Sequence, residues 1–131
     1  MFPANDSQKT IAIIGGGPAG AATALAFLKA IKRLDPPEPS AGHPPRYNVK
    51  IFCEPPPGEV RIGESIPPAA TPALRQLGVE HILAPDTGHL VCPGSTSLWN
   101  SDTRGHNDFM LDIMGRGYHL DRALFDAQLL S

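Results

Sequence analysis

The sequence has few cysteines, no excess of charge of one sign and no long apolar run, and each shortage excludes a class of protein. Its 131 residues include only Cys53 and Cys92. Two cysteines are too few for a disulfide framework, and these lack the spacing of a zinc or redox site. We expect both to be buried. Lysine and arginine total 11 and aspartate and glutamate total 13, so no basic surface for nucleic acid is expected.

Membrane and metal signals are equally sparse. No stretch approaches the roughly 18 apolar residues of a membrane span, and the N-terminus has neither the basic nor the apolar region of a signal peptide. The five histidines show no metal-ligand spacing, so no metal site is predicted. The length fits one domain. We therefore expect a cytoplasmic domain without metal, membrane or nucleic-acid partners.

What the sequence does contain is a strand, a glycine turn and a helix in direct succession. Residues 10–14 are apolar and mostly β-branched, which is typical of a strand buried on both faces in a parallel sheet. Gly15-Gly16-Gly17-Pro18-Ala19-Gly20 follows, and good helix formers occupy 21–34. A second strand is predicted over 48–53. This order predicts a βαβ unit that binds a dinucleotide.

Each glycine of the turn has a physical task. Gly15 permits the tight turn, Gly17 has no side chain to block a pyrophosphate, and Gly20 lets the helix pack close to the strand. The free N–H groups at the start of the helix, around Pro18 and Ala19, are expected to face the phosphates.

The acid that binds a ribose in such units is predicted to be Glu54, at the end of the second strand. It lies 34 residues beyond Gly20, whereas the usual distance is about 20. Residues 35–46 contain five prolines, and a surface loop inserted there explains the excess.

The remaining elements are predicted less sharply. Residues 1–9 are expected to be a disordered tail and 59–66 to be extended. A helix is predicted over 67–77, with Gly78 as its stop. Strands are predicted at 95–100 and 109–113, joined by a loop at 101–107, with Trp99 and Phe109 packing that small sheet. Asp121 is expected to cap a last helix that runs uncapped into Ser131.

Two further segments resemble one family. Residues 61–68 (RIGESIPP) with 72–79 (PALRQLGV), and residues 118–126 (YHLDRALFD), resemble signatures of FAD-dependent oxidoreductases. The group is the one that includes flavin-dependent halogenases and aromatic-hydroxylase-type monooxygenases. With the glycines, these motifs cover most of residues 10–130 in the family's order.

The resemblance implies a fold, a cofactor and contacts. The fold would be a Rossmann-like FAD/NAD(P)-binding βαβ unit, incomplete, with a small β excursion and a C-terminal helix. The cofactor would be FAD, with NAD(P)H as reductant and a small organic molecule as substrate of the complete enzyme. His119 also falls within a signature and could approach the cofactor. Cofactor contacts are implied at Gly15, Gly17, Pro18, Ala19, Gly20, Glu54, Arg61, Gly63, Glu64, Ser65 and Arg122.

The sequence departs from this family in two ways. Halogenases use a lysine after the Gly-Glu-Ser-like segment, but here no lysine follows Lys50. Family members also carry a later Gly-Asp motif near the flavin, and no Gly-Asp dipeptide occurs here. We expect the chain to be the N-terminal part of an FAD-binding domain, truncated and inactive alone, with a C-terminal portion missing. No catalytic residue is assigned.

Two other interpretations stay open at this stage. The chain could be a non-catalytic nucleotide-binding or interaction module that retains only the ADP-binding βαβ unit. An NAD(P)-dependent dehydrogenase is the third interpretation, which the segments 61–68 and 118–126 disfavour.

Overall fold

The computed structural model describes residues 8–34, 36, 46–54, 62–99 and 102–131. The predicted loop at 35–46 therefore lies largely outside the described residues, as do most of the predicted tail and residues 59–61 of the extended stretch predicted at 59–66. The chain divides into two compact units, Met1–Pro55 and Pro56–Ser131. Helix and strand are mixed, and the first unit has the order of an incomplete α/β fold.

The first unit is a parallel strand pair with one helix between the strands. Strand β1 is Lys9–Ile14, helix α1 is Pro18–Leu34 and strand β2 is Tyr47–Phe52. The strands are parallel, with Ile11 opposite Val49 and Ile14 opposite Phe52. A parallel pair needs a crossover connection, and α1 supplies its helical part. The helix begins three residues earlier than its composition predicts, because Pro18 suits a first helical position.

The composition of strand β1 predicts burial on both faces, but the structure shows burial on one face only. Its exposure alternates: Ile11 and Ile13 are half-buried, whereas Ala12 and Ile14 are exposed. Side chains of a strand alternate between two faces, and the face with Ile13 lies toward α1, where the Cγ2 atom of Ile13 approaches Gly20. Among the described residues of the first unit, α1 is the one helix, so this unit by itself has none to cover the opposite face of the sheet.

The second unit is built around a three-stranded antiparallel sheet. Its strands are β3 (Ser65–Ile66), β4 (Leu90–Cys92) and β7 (Gly117–His119), with β7 in the centre. Helix α2, Ala70–Leu77, is followed by a 3₁₀ helix, Glu80–Leu83. The core of this unit contains the side chains of Leu74, Ile82, Leu83, Cys92, Leu120, Phe125 and Leu129.

Gly78 ends α2 as predicted. It adopts a left-handed conformation with φ of 77°, and its N–H donates to the carbonyl of Arg75. This is the glycine cap that commonly closes a helix. The helix begins at Ala70 rather than at the preceding prolines, so Pro72 lies within its first turn, where a proline is tolerated.

The small hairpin differs from its prediction. Strand β5 is Gly94–Ser97, and its partner β6 is Gly105–Asp108, in the segment predicted as a loop. Residues 109–113 form turns instead of a strand. The carboxylates of Asp108 and Asp112 accept hydrogen bonds from the N–H groups of Met110 and Met114, each at 2.8 Å. These local bonds replace those of a strand ladder.

The last helix, α3, spans Arg122–Leu130. Asp121 caps it as predicted, since its side chain accepts a hydrogen bond of 3.0 Å from the N–H of Leu124. The expectation of an uncapped end is wrong, because the Ser131 hydroxyl donates to the carbonyl of Gln128 at 2.9 Å. In the part of the chain that is described, no helix is both long enough and apolar enough to cross a membrane.

Candidate functional site

The glycine turn lies at the carboxyl end of β1, beside the end of β2. The N–H of Gly15 donates to the carbonyl of Phe52 at 2.8 Å, which fixes the start of the turn against the neighbouring strand. Gly15 has φ of 112°, a conformation that costs glycine nothing but strains other residues. Ligands of open parallel sheets bind at this edge.

The glycines that follow differ sharply in the space around them. A Cβ atom added at Gly17 would meet no atom within 4 Å, whereas one added at Gly20 would overlap the carbonyl oxygen of Gly15. The helix therefore approaches the turn so closely that residue 20 has no room for a side chain. The backbone at Gly17 is therefore open to its surroundings, while pyrophosphate binding there stays a prediction.

The first turn of α1 offers donors at the same place. The first bond inside the helix runs from the N–H of Ala21 to the carbonyl of Gly17, at 3.0 Å. The N–H groups of Ala19 and Gly20 precede this bond, and Pro18 has none to offer. Two N–H groups and the positive end of the helix dipole are thus available to an anion.

Glu54 follows β2 by two residues and is exposed. Because Phe52 pairs with Ile14, the residues after β2 and the glycine turn leave the sheet at one edge. The ribose-binding role of this carboxylate stays a prediction. Arg61, also predicted to contact the cofactor, lies outside the described residues.

The second unit holds the segment Gly63-Glu64-Ser65, whose residues are all exposed. The carbonyl of Glu64 accepts a hydrogen bond of 2.6 Å from the N–H of Leu120. Ser65 lies opposite His119 in the pairing of β3 with β7, and its Oγ atom is 3.0 Å from Nδ1 of that histidine. His119, which the sequence links to the cofactor, therefore contacts the same segment.

Arg122 is held on two sides by its own unit. Its Nε and Nη2 atoms lie 3.3 to 3.4 Å from the carboxylate oxygens of Asp126. Its Nη1 atom donates to the carbonyls of Ile62 and Gly63, at 2.8 and 3.2 Å. The Asp126 side chain is only 3% exposed and that of Arg122 is 17% exposed, so the ion pair is largely shielded from water.

Sequence reasoning missed Asp126 as a member of this group. The signal was present, because an arginine and an aspartate four residues apart lie on one face of a helix. The carbonyls of Ile62 and Gly63 could not have been found this way, since the Arg122 contact with Gly63 spans 59 residues.

Two expectations about apolar residues are only half met. Cys92 is buried, but Cys53 is exposed, because β2 ends at Phe52 and leaves Cys53 beyond the sheet. Phe109 is half-buried, but its ring lies against Gly117 of β7, in the three-stranded sheet and not in the small sheet that it was expected to pack. Trp99, in contrast, is 81% exposed.

Among the described residues, no group of histidine, cysteine, aspartate and glutamate side chains is placed to hold a metal ion.

Comparison with known proteins gives one informative match. The chain is 33% identical over 126 residues to a protein of Marinomonas mediterranea named "Putative FAD-dependent oxidoreductase LodB". The match covers 90% of this chain and 28% of that protein, so the chain spans little more than a quarter of the relative it matches. No protein-family model matches the chain. The similarity supports the general class of FAD-dependent oxidoreductases.

Proposed function

We propose that this chain is the FAD-binding N-terminal segment of a flavin-dependent oxidoreductase. One observation carries the proposal: the glycine turn is closed to a side chain at Gly20 and open at Gly17. Close helix–strand packing beside an open backbone is what a dinucleotide pyrophosphate requires. The name of the relative LodB describes an FAD-dependent oxidoreductase, and the similarity to it favours FAD over other dinucleotides.

In this proposal the residues of the first unit bind and orient the ADP half of the cofactor. The N–H groups of Ala19 and Gly20 would donate to phosphate oxygens, and Glu54 would accept hydrogen bonds from ribose hydroxyls. The first unit would be a Rossmann-like βαβ unit that is incomplete in this chain. Bound FAD supplies the redox chemistry, and the chain's own part is to hold it and tune its surroundings.

The reaction type is a finer proposal, and it rests on the resemblance of residues 61–68 and 118–126 alone. A monooxygenase-like or halogenase-like oxidation of a small organic molecule, with NAD(P)H as reductant, is the activity that we propose for a complete enzyme. The absence of lysine after Lys50 favours the monooxygenase-like form.

Two alanine substitutions test the nucleotide site, and they form a matched pair. Gly17→Ala adds a methyl group into open space, so the chain should fold as before, while its affinity for FAD and ADP falls by at least about tenfold. Gly20→Ala places the same methyl group on the Gly15 carbonyl and should destabilise the fold by about 1–3 kcal/mol.

Nucleotide binding is measured by calorimetry and folding by circular dichroism and thermal unfolding. Equal binding by wild-type protein and the Gly17→Ala variant would contradict the proposed site. A chain that binds ADP and FAD with the same affinity would instead support the nucleotide-binding module without flavin chemistry.

A further inference from the structure

A small pocket lies in the second unit, between the end of β4 and the turns that follow β6. Its volume is about 220 Å³, and it is lined by Val91, Cys92, Pro93, Phe109, Met110 and Arg116. Five of these six residues have apolar side chains and the sixth is an arginine. Every one of them belongs to the second unit, so the pocket does not depend on how the two units are placed.

The apolar wall of this pocket is held in position by backbone pairing. Cys92 lies opposite Gly117 in the pairing of β4 with β7. The N–H of Phe109 donates to the carbonyl of Pro93 at 2.9 Å, and the Phe109 ring lies against Gly117, which leaves no room for a side chain there. The wall is therefore a packed part of the unit.

The same wall offers an apolar ligand no unsatisfied polar group. Among its side chains only the Cys92 thiol can donate a hydrogen bond. Cys92 is 3% exposed, and its Sγ atom donates to the carbonyl of Gly94 at 3.2 Å. An apolar cavity of about 150 Å³ binds a molecule the size of benzene. A pocket of about 220 Å³ therefore has room for one six-membered ring and a small polar group.

Arg116 brings a positive charge to this pocket. Its carbonyl accepts a hydrogen bond of 3.4 Å from Oγ1 of Thr71, which holds its backbone beside α2. Arg116 is exposed, and within the described part of the chain its guanidinium has no hydrogen bond or ion pair. Asp112, the acid nearest to it in the sequence, accepts instead from the N–H of Met114. A free guanidinium fork beside an apolar pocket suits a carboxylate.

We infer that this pocket binds a small carboxylate with an apolar body. The apolar part packs against Val91, Phe109 and Met110, and the carboxylate accepts N–H bonds from Arg116. Burial of the apolar part drives binding, and the charge pair selects an anion over a neutral molecule of the same shape. The inference goes beyond the proposed function, because it involves no residue of the nucleotide site.

Cyclohexanecarboxylate is the probe, and cyclohexanecarboxamide has the same shape without the charge. In ¹⁵N-labelled full-length chain, the carboxylate should shift the amide resonances of Cys92, Met110 and Arg116 saturably, with a millimolar Kd because the ligand is small. The carboxamide should bind about fivefold more weakly, because it lacks the ion pair. Equal affinities for the two probes would overturn the selection of an anion, and the absence of saturable shifts would overturn the site.

Two substitutions separate the charge from the apolar wall. Arg116→Gln should weaken binding of the carboxylate about fivefold and leave that of the carboxamide within about twofold. Val91→Thr places a hydroxyl group on the wall, at a strand position that is 48% exposed, and should weaken binding of both probes. Thermal unfolding shows that each variant remains folded.

Arg104→Gln is the matched control for the loss of charge. Arg104 is an exposed arginine of the same unit that does not line the pocket, so its substitution should change neither affinity. If the Arg116→Gln and Arg104→Gln variants bound the carboxylate equally well, Arg116 would not be its partner and the inference would fail.

Discussion

His89 is buried and makes its contacts with helix α3. Its Nε2 atom lies 2.9 Å from Oε1 of Gln128, and Nε2 of Gln128 donates to the carbonyl of Thr87 at 3.2 Å. The amide orientation makes the Nε2 nitrogen of His89 the one that carries the proton. The ring also meets Phe125 edge to face, with ring centroids 5.7 Å apart. One glutamine side chain therefore joins the segment before β4 to α3.

We predict that Gln128→Met destabilises the protein by about 1–3 kcal/mol, because it leaves the Thr87 carbonyl and the His89 N–H without their partner. Urea unfolding measures the loss. A double-mutant cycle with His89→Phe identifies its cause: the two substitutions together should cost less than their sum. Strict additivity would show that the hydrogen bond contributes nothing.

The glycines show how far residue-level reasoning reaches. The positive φ of Gly15 and the close packing at Gly20 follow from spacing, because both glycines belong to one local turn, whereas the pyrophosphate contact at Gly17 stays a prediction. The constraint on Gly63 could not be derived, since it comes from Arg122 at the far end of the unit. Local sequence patterns predict local geometry, but they do not predict contacts between residues that are far apart in the sequence and meet only in the folded chain.

Secondary structure was predictable wherever a signal had a single interpretation. The cap at Asp121 and the stop at Gly78 are both as the sequence predicts. The structure of residues 109–113 was not predictable, because two signals conflict there. Their apolar side chains are typical of a strand, while Asp108 and Asp112 favour turns. The polar strand β6, Gly105–Asp108, carries no apolar alternation that could have revealed it.

The connection between α2 and the 3₁₀ helix is closed by a two-pronged ion pair. Nε and Nη2 of Arg75 donate to the two carboxylate oxygens of Glu80, at 2.7 and 2.6 Å. The hydrogen bond from Arg75, followed by its charge, holds the pKa of Glu80 below its ordinary value of 4.5. The same bond and the charge of Glu80 raise the pKa of Arg75.

This lowered pKa gives a pH-dependent contribution of known sign. A carboxylate whose pKa is lower in the folded state stabilises the fold above its unfolded pKa, and loses that effect as the pH falls through the folded value. Glu80→Gln should therefore reduce stability slightly at neutral pH and not at a pH well below 4.5. Urea unfolding at both pH values measures this, with Asp102→Asn as a charge-matched control. If Glu80→Gln were less stable than the wild-type protein at the acidic pH as well, the carboxylate charge would not be the cause of the lost stability.

Each of the two units has large apolar side chains that are exposed among its described residues. Ile14 is 83% exposed in the first unit, while Leu111 and Ile113 are 92% and 97% exposed in the second. Leu111 and Ile113 lie only two residues apart, and exposed apolar side chains that lie near one another favour association. The sequence composition could not foretell this exposure, because the balance of apolar and charged residues is that of an ordinary folded domain.

We predict that the chain self-associates as its concentration rises and that Ile113→Lys reduces this association. Sedimentation velocity over a concentration series measures it. Ala73→Lys adds the same charge at another exposed position, on α2, and should have a smaller effect. If the wild-type protein sediments as a monomer at every concentration, the exposed apolar side chains do not drive self-association.

The contact between Gly63 and Arg122 also has a meaning for sequence comparison. A side chain at position 63 would need a left-handed backbone and would displace the Arg122 guanidinium, which occupies the place of its Cβ atom and would lose its contacts with the two carbonyls. The two positions should therefore vary together among related chains, and glycine at one should accompany arginine at the other. In an alignment, matches at these two positions should therefore not be counted as independent evidence of relationship, although 59 residues separate them.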